Sequence, residues 1–330
     1  MRLLLLSLVF GVGLVVALEV GLRVLFGFGN PLTYISDKEI GYLLAPNQRT
    51  RRFGNRIMIN DYSMRSSTID ATRSPACLRV LLLGDSVANG AWWTDQDKTL
   101  SALMTRRLKV DLPSYHEVEV LNASANSWGP RNELAYLRRF GTFEAQVVVL
   151  LINTDDLFST APTSIPVGRD RNYPSKKNPS ALAEVFERYF TKAPPIPEMK
   201  AVNSEEGDRV GFNLEAIRQI QQQASNDGAQ FLLGMTPLLR ELGQPGSRDY
   251  EQRARSRLLE LTQKEQIPYL DFLPSFNDTP APASLYRDHI HLSPEGYQRI
   301  NGAIARSLQK LLQQSEESFN EGDSRIGTGD

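Results

Sequence analysis

A serine and a distant aspartate–histidine pair are the residues of this sequence whose types and spacing suit nucleophilic catalysis. Gly84-Asp85-Ser86 directly follows LRVLLL at 78–83, an apolar run typical of a buried strand. A serine at a strand-to-helix turn holds its hydroxyl at the end of the sheet, near the backbone N–H groups that open the helix. Ser and Asp are also common helix caps, so this tripeptide alone indicates little.

The partner residues lie near the end of the chain, in DHIHLSPEG at 288–296. An imidazole that acts as general base needs a carboxylate to fix its tautomer, and Asp288 in a loop can fold back onto Nδ1 of His291. His289 is adjacent to Asp288 and less well placed, so we expect it to be structural or exposed. We predict Ser86 as nucleophile, His291 as base and Asp288 as orienting acid, without a cofactor or metal.

The elements that must position these residues follow from the hydrophobic pattern. From residue 78 onward apolar runs alternate with amphipathic segments, which predicts a parallel sheet covered by helices. We predict strands near 78–83, 117–121, 146–152, 229–235 and 267–272. We predict helices near 97–110, 131–140, 181–190, 213–226, 248–265 and 294–313. Ligands of such sheets bind beyond the carboxyl ends of the strands, where Ser86 falls.

The composition is that of an ordinary globular protein. The chain has 330 residues, 41% of them hydrophobic, which predicts one large domain with appendages. With 37 Lys plus Arg and 38 Asp plus Glu, there is no general attraction toward polyanions, so we predict no nucleic-acid partner. Cys77 is the single cysteine, which excludes an internal disulfide. The oligomeric state stays open.

The start of the chain departs from this pattern. Arg2 is followed by an uncharged apolar run from Leu3 to Leu18. If Glu19 pairs with Arg23 one turn later, the stretch reaches about 20 residues, enough for the ~30 Å hydrocarbon layer. We predict a single-pass signal anchor over residues 1–29, with the catalytic domain outside the cytoplasm. A signal peptide cleaved after 15–17 is the alternative.

Three other segments frame the domain predicted over residues 78–313. Residues 30–77 are rich in Pro, Gly, Asn and Arg, which predicts a connecting region of loops and short strands. Residues 157–212 form an insertion within the domain, and long irregular insertions are often functional. Residues 314–330 contain almost no apolar side chains, which predicts a disordered tail.

Taken in order, the motifs resemble those of the SGNH hydrolases, also called the GDSL family, and in particular membrane-anchored bacterial members. LLGDS at 82–86 resembles the first block, NASANSWG at 122–129 the second, NTDD at 153–156 the third and DHIH at 288–291 the last. The resemblance implies a three-layer α/β/α sandwich with a five-stranded parallel sheet, flavodoxin-like in arrangement. It also implies a serine esterase or acyl hydrolase that uses a Ser-His-Asp triad.

The resemblance further implies an oxyanion hole, and the chain departs from the family pattern there. The family donors are the serine N–H, a glycine N–H from the second block and an asparagine side chain from the third. The corresponding positions are Ser86, Ser127 and Asp155, with Gly129 as an alternative to Ser127. An ionised Asp155 repels a developing oxyanion, and we expect burial and the neighbouring Asp156 to raise its pKa.

Asn153 and Asn126 are alternative side-chain donors to the oxyanion. The predicted substrate is an ester, either a small molecule or an O-acetyl or short acyl ester of an envelope glycan or lipid. One alternative is an O-acyltransferase on the same fold. Another is an envelope interaction module that has lost catalysis through Asp155 and Ser127. A third is a metal-dependent phosphoesterase using the side chains of Asp85, Asp288, His289 and His291.

Overall fold

The computed structural model describes residues 1–326, and it describes side chains for residues 1–314. The strands are β1 (Tyr34–Ser36), β2 (Tyr42–Leu44), β3 (Gln48–Arg52), β4 (Asn55–Ile59), β5 (Cys77–Gly84), β6 (Glu117–Ser124), β7 (Val147–Asn153), β8 (Gln230–Thr236) and β9 (Tyr269–Asp271). The α-helices are α1 (Arg2–Gly21), α2 (Ser86–Asn89), α3 (Leu100–Asp111), α4 (Pro130–Phe140), α5 (Ala181–Phe190), α6 (Met199–Asn203), α7 (Arg209–Asn226), α8 (Asp249–Lys264), α9 (Phe272–Asn277) and α10 (Pro294–Ile326).

The described chain forms two compact units. The first comprises Met1–Ile69, Ala91–Gln96 and Thr160–Glu205, and the second comprises Asp70–Gly90, Asp97–Ser159 and the chain from Glu206 onward. The sequence prediction kept the anchor, the connecting region and the insertion apart, whereas the structure places most of all three in the first unit. Contacts between segments that are far apart in the sequence create this unit, so no local sequence pattern predicts it.

The second unit is built on a five-stranded parallel sheet, which confirms the predicted fold class. The strand order is β6-β5-β7-β8-β9, and every predicted strand is present. The strands β5 and β7 are buried along their whole length. This continuous burial is expected of parallel strands that are covered on both faces.

Helices cover the two faces of this sheet, as in the predicted three-layer sandwich. Leu78, Val80 and Leu82 of β5 share one core cluster with buried side chains of α3 and α10. Because side chains alternate along a strand, Leu81 and Leu83 face the opposite side, and they are also fully buried. The helices α4 and α7 pack against each other, α4 contacts β5, and α7 contacts β8. Neither helix contributes a residue to the core cluster that contains α3 and α10.

The last helix is longer than the sequence prediction. It begins at Pro294, with the Ser293 hydroxyl accepting from the N–H of Gly296 at 3.2 Å, as expected for a capping serine. It runs to Ile326 rather than 313 because Gln and Glu are good helix formers and no further proline interrupts it. The tail predicted from 314 overlaps this helix, and residues 327–330 lie outside the described residues.

The first unit contains two antiparallel hairpins and the apolar helix at the start of the chain. The hairpins pair β1 with β2 and β3 with β4, in the region predicted to hold short strands. The helix α1 continues through a π-helical turn, Leu22–Phe26, to give 25 helical residues without a buried side chain, and its most apolar 18-residue stretch has a mean hydropathy of 2.6. Within the described part of the chain it is the one helix that fits a membrane span or signal anchor.

The end of this helix belongs to the folded unit. Glu19 pairs with Arg23 at 2.7 Å, as predicted, and its carboxylate also accepts the backbone N–H groups of Ala181 and Leu182 at 2.8 and 2.9 Å. These are orphan donors at the first turn of α5, so Glu19 helps to cap that helix from a distant segment. Phe28 is buried nearby. The predicted domain boundary at residue 29 therefore cuts through packed structure.

We predict that deleting residues 2–17 leaves the first unit folded, whereas deleting residues 1–29 destabilises it. The longer deletion removes the Glu19 cap of α5 and also the burial of Phe28, which is worth about 2 kcal/mol. Thermal unfolding followed by circular dichroism should give a midpoint several degrees lower for the longer deletion, with the full-length protein in detergent as reference. Equal midpoints for the two shortened proteins would contradict this assignment.

Candidate active site

The serine lies in a sharp turn between β5 and α2. Asp85 is the N-cap of α2, and its Oδ1 accepts the backbone N–H of Val87 at 2.8 Å. Gly84 is required before it, because a Cβ there would lie 2.6 Å from the carbonyl oxygen of Leu151 on the neighbouring strand. The turn leaves Ser86 at the carboxyl end of the sheet with only 9% of its surface exposed.

The structure brings Ser86, His291 and Asp288 together in a continuous hydrogen-bonded path. His291 Nε2 lies 2.9 Å from Ser86 Oγ, and His291 Nδ1 lies 2.8 Å from Asp288 Oδ2. Asp288 Oδ1 also accepts the backbone N–H groups of Ile290 and His291 at 3.0 and 2.9 Å. The loop thus folds back on itself in the way that the three-residue spacing suggested.

The charge of Asp288 suits an orienting acid. Burial acts to raise its pKa, but the N–H groups of His291 and Ile290, together with the imidazole, outweigh burial and lower the pKa below its usual value. Asp288 is therefore ionised at neutral pH. A carboxylate at Nδ1 favours the tautomer whose proton is on Nδ1, which leaves the Nε2 lone pair for the Ser86 hydroxyl.

His289 lies outside this path. Its side chain is 81% exposed, and its Nδ1 is 3.9 Å from Asp288 Oδ1, which is too far for a hydrogen bond. Its backbone carbonyl accepts the N–H of Leu239 at 2.9 Å. The geometry agrees with the expectation of an exposed histidine and makes it a natural control for His291.

Two tyrosines help to place the loop that contains His291, and neither was predicted from the sequence. Tyr286 pairs with Leu292 in a short antiparallel bridge, and the N–H of Arg287 donates to the carbonyl of His291 at 2.8 Å. Tyr297 on α10 donates its hydroxyl to the carbonyl of Val87 at 2.7 Å. This bond joins the helix after His291 directly to the turn that carries Ser86.

A buried network of polar side chains contacts the turn that carries Ser86. The amide nitrogen of Asn153, at the end of β7, donates to Asp85 Oδ2 and to Asp156 Oδ2, both at 2.9 Å. Asp85 Oδ2 also lies 3.3 Å from Ser86 Oγ. Both N–H groups of the Asn153 amide are thereby used, which leaves none for a bound oxyanion.

Glu133 on α4 belongs to the same electrostatic cluster and was missed from the sequence. Its surface is 0% exposed, and neither carboxyl oxygen has a hydrogen-bond partner among the described residues. Burial, followed by the nearby charge of Asp85, raises its pKa well above the usual value. Burial likewise raises the pKa of Asp85 and of Asp156. An isolated ionised carboxylate is costly in such surroundings, so Glu133 is held protonated.

The second motif places Ser127 in an exposed turn after β6. Its φ of +60° lies in the left-handed region, where residues other than glycine are uncommon. Gly129 has an extended backbone at the start of α4, and a Cβ there would lie 2.4 Å from the Ser159 Cβ. Glycine is thus required at 129 for packing, whereas position 127 has the backbone conformation that glycine favours.

Asp155 follows β7 and is exposed. Partial burial of its carboxylate raises its pKa, in the expected direction, while the Arg240 guanidinium and the His289 imidazole act to lower it. Asp156, which we expected to raise this pKa, is not among the main causes of the shift. The carboxylates of Glu251 and Glu241 are, and both act to raise the pKa. The backbone N–H of Asp155 donates to Asn153 Oδ1 at 2.8 Å.

The alternative of a metal-dependent phosphoesterase requires a group of side chains that can bind a metal ion. Among the residues that the structure describes, no three His, Cys, Asp or Glu side chains are grouped so as to hold a metal ion. Asp288 and His291 instead bind each other and Ser86.

Comparisons with known proteins find one family model and several solved structures to which this chain is similar. The family model described as GDSL-like lipase/acylhydrolase matches residues 82–299. A comparison with curated protein sequences finds no match. Among solved structures, an acetylxylan esterase from Geobacillus stearothermophilus is 15% identical, with a TM-score of 0.47, and the match covers 69% of this chain and 93% of that one. A lipase/acylhydrolase from Enterococcus faecalis is 16% identical, with a TM-score of 0.44, covering 71% of this chain and 96% of that one.

We predict that Glu133→Gln increasingly stabilises the protein as the pH rises. A carboxyl whose pKa is raised by folding stabilises the fold below its unfolded pKa, and this stability is lost as the pH rises toward the folded pKa. The free energy of unfolding of the variant relative to wild type should therefore grow between pH 5 and pH 8, by about 1 kcal/mol or more. Denaturant unfolding at the two pH values measures this difference.

The exposed Glu260→Gln provides the same charge change as a control for Glu133→Gln. Its stability relative to wild type should stay nearly constant between pH 5 and pH 8. A Glu133→Gln protein that behaves like this control would show that Glu133 is ionised in the folded state.

Proposed function

Because the chain belongs to the GDSL-like lipase/acylhydrolase family and is a hydrolase of ester bonds, we propose that Ser86, His291 and Asp288 are its catalytic triad. The observation that carries this proposal is the hydrogen-bonded path from Ser86 Oγ through the His291 ring to the Asp288 carboxylate. Nucleophile, base and orienting acid occur in that path in the order that acyl transfer requires.

The proposed reaction proceeds through an acyl-enzyme. Ser86 Oγ attacks the ester carbonyl carbon while its proton passes to His291 Nε2. The resulting tetrahedral intermediate expels the alkoxide, which takes that proton from His291. Water then attacks the Ser86 ester, His291 again accepts and returns a proton, and the carboxylic acid leaves. Asp288 stays ionised throughout and stabilises the imidazolium.

For the oxyanion hole we propose the backbone N–H groups of Ser86 and Ser127 and the side chain of Asp155. The left-handed backbone of Ser127 supports the second donor, because that is the conformation expected where the family has glycine. The tight packing of Gly129 against Ser159 favours Ser127 over Gly129 for that position.

Asp155 acts in this proposal as a neutral carboxylic acid that donates its proton to the oxyanion. The raised pKa of Asp155 supports this role, because it increases the protonated fraction at a given pH. The full use of the Asn153 amide by Asp85 and Asp156 argues against Asn153 as the substitute donor.

The proposed substrate is an O-acetyl or short acyl ester of a glycan or lipid at the outer face of a membrane, with α1 as a single-pass anchor. The length and apolar surface of α1 support the anchor. Protease digestion of intact spheroplasts tests this orientation, because an extracytoplasmic domain is cleaved and a cytoplasmic one is protected.

We predict that Ser86→Ala and His291→Ala each lower kcat/KM for p-nitrophenyl acetate by about 10³-fold or more, because each removes a group that acts in the transition state. The matched control His289→Ala should retain most of the activity, since its imidazole is outside the path. A fluorophosphonate should label the wild type and not Ser86→Ala. Equal losses at both histidines would contradict the triad.

We predict that Asp155→Asn raises kcat/KM at pH 8 by about tenfold. An ionised carboxylate about 4 Å from an oxyanion costs on the order of 4 kcal/mol at an effective dielectric of ~20, and solvent and Arg240 screen part of it. Since Asn donates at every pH, the ratio of variant to wild type should increase as the pH rises through the Asp155 pKa. An unchanged or lower rate at pH 8 would remove Asp155 from the oxyanion hole.

A further inference from the structure

The helix α5 lies alongside the end of the apolar helix α1. Its first turn is held by Glu19, which accepts the N–H groups of Ala181 and Leu182. Its last turn reaches past the end of the apolar segment, where the ring of Tyr189 lies 6.2 Å from that of Phe28. Both ends of α5 are therefore fixed relative to residues 19–28, so α1 sets the position of α5.

One face of α5 is aromatic and exposed to solvent. Phe186, Tyr189 and Phe190 are 62%, 63% and 74% exposed, and Phe186 and Phe190 stack with ring centroids 5.9 Å apart. Val24 and Leu25, beside this face in the same unit, are also exposed. An aromatic face of this kind in water is unfavourable, and such patches usually mark a contact surface.

The position of this face along α1 identifies what covers it. A hydrocarbon layer of ~30 Å corresponds to about 20 helical residues, so a span that begins at Leu3 ends near Leu22. Residues 23–28 and the last turn of α5, which contacts Phe28 through Tyr189, then lie at the depth of the lipid headgroups. Aromatic rings concentrate at that depth, where an apolar body and a polar environment meet.

The basic side chains beside α5 also favour contact with lipid headgroups. A cavity of about 210 Å³ next to the helix is lined by five basic and three acidic side chains. Glu184 is paired with Arg52 and with Arg188, one of the five basic side chains, and Arg169, another of them, is paired with Glu198. Lys176 and Lys177 on the cavity wall are exposed. Basic side chains at the membrane surface attract anionic headgroups.

We infer that the outer face of α5 is a membrane-docking surface that rests in the headgroup layer of the bilayer that α1 spans. The surface consists of Phe186, Tyr189 and Phe190, flanked by Lys176 and Lys177. This inference rests on the proposed membrane anchor and adds a second, peripheral contact to it. The contact would give the first unit a second attachment to the bilayer besides α1.

Depth-dependent fluorescence quenching tests this surface in the full-length protein. Phe190→Cys and, separately, Phe186→Cys are labelled with an environment-sensitive dye in nanodiscs that contain phosphatidylglycerol. Burial raises the pKa of the native Cys77 to about 11, and this residue is buried, so it should resist labelling. Val110→Cys is the matched control, because Val110 is 77% exposed on α3 of the second unit.

We expect lipids with a nitroxide near the headgroup to quench the labels at 186 and 190 at least about threefold more strongly than the label at 110. A label at Val12→Cys in the middle of α1 should be quenched by a nitroxide deep in the acyl chain. Quenching at 12 with labels at 186 and 190 that behave like 110 would overturn the docking surface and leave the anchor intact. No quenching at 12 would overturn both.

A second measurement separates the bilayer from a protein partner. If labels at 186 and 190 are shielded from a water-soluble quencher but not reached by the lipid nitroxide, a second protein chain covers the face and the inference is wrong. Replacing Lys176 and Lys177 with Gln should lower the quenching at 190 in anionic nanodiscs and leave it unchanged in neutral ones.

Discussion

The hydrogen bond from Asn153 to the buried carboxyl of Asp85 is the contact on which the active site depends most. It joins the ends of β5 and β7, and it holds in place the residue that caps α2 and precedes the proposed nucleophile. An unpaired polar group in this position would be costly, because the surrounding residues exclude water. The network extends to Asp156 and, through its electrostatic field, to Glu133. These contacts restrict the conformation of the turn that carries Ser86.

The loop that carries the proposed base is held close to this turn by contacts of its own. The Tyr286–Leu292 bridge joins the two ends of the loop that contains Asp288 and His291. Beyond this loop, the Tyr297 hydroxyl donates a hydrogen bond to the carbonyl of Val87. Each contact reduces the freedom of His291 relative to Ser86. Catalysis by positioned groups depends on such restriction, because freely moving side chains must lose entropy during the reaction.

For the first unit, the proposed membrane anchor sets a different physical constraint, which is the depth of α1 in a bilayer. A charged residue within an apolar helix is expensive in lipid, yet Glu19 has Arg23 and the N-terminal donors of α5 as partners. These contacts explain why the apolar segment does not end in a loose linker. They also connect the anchor to the segment that sequence analysis treated as an insertion.

Local sequence patterns were enough to predict the sheet, most helices and the three residues of the proposed triad, because apolar periodicity and capping residues act within a few positions of the chain. The D-x-x-H spacing was similarly local, since Asp288 folds onto a histidine three residues away. Other contacts became visible only in the folded chain: Asn153 binds Asp85, Glu133 is buried without a hydrogen-bond partner among the described residues, Arg240 and His289 affect the pKa of Asp155, and Glu19 caps α5. Each of these contacts joins residues from separate elements, and no local pattern encodes which buried polar groups will face one another once the elements pack.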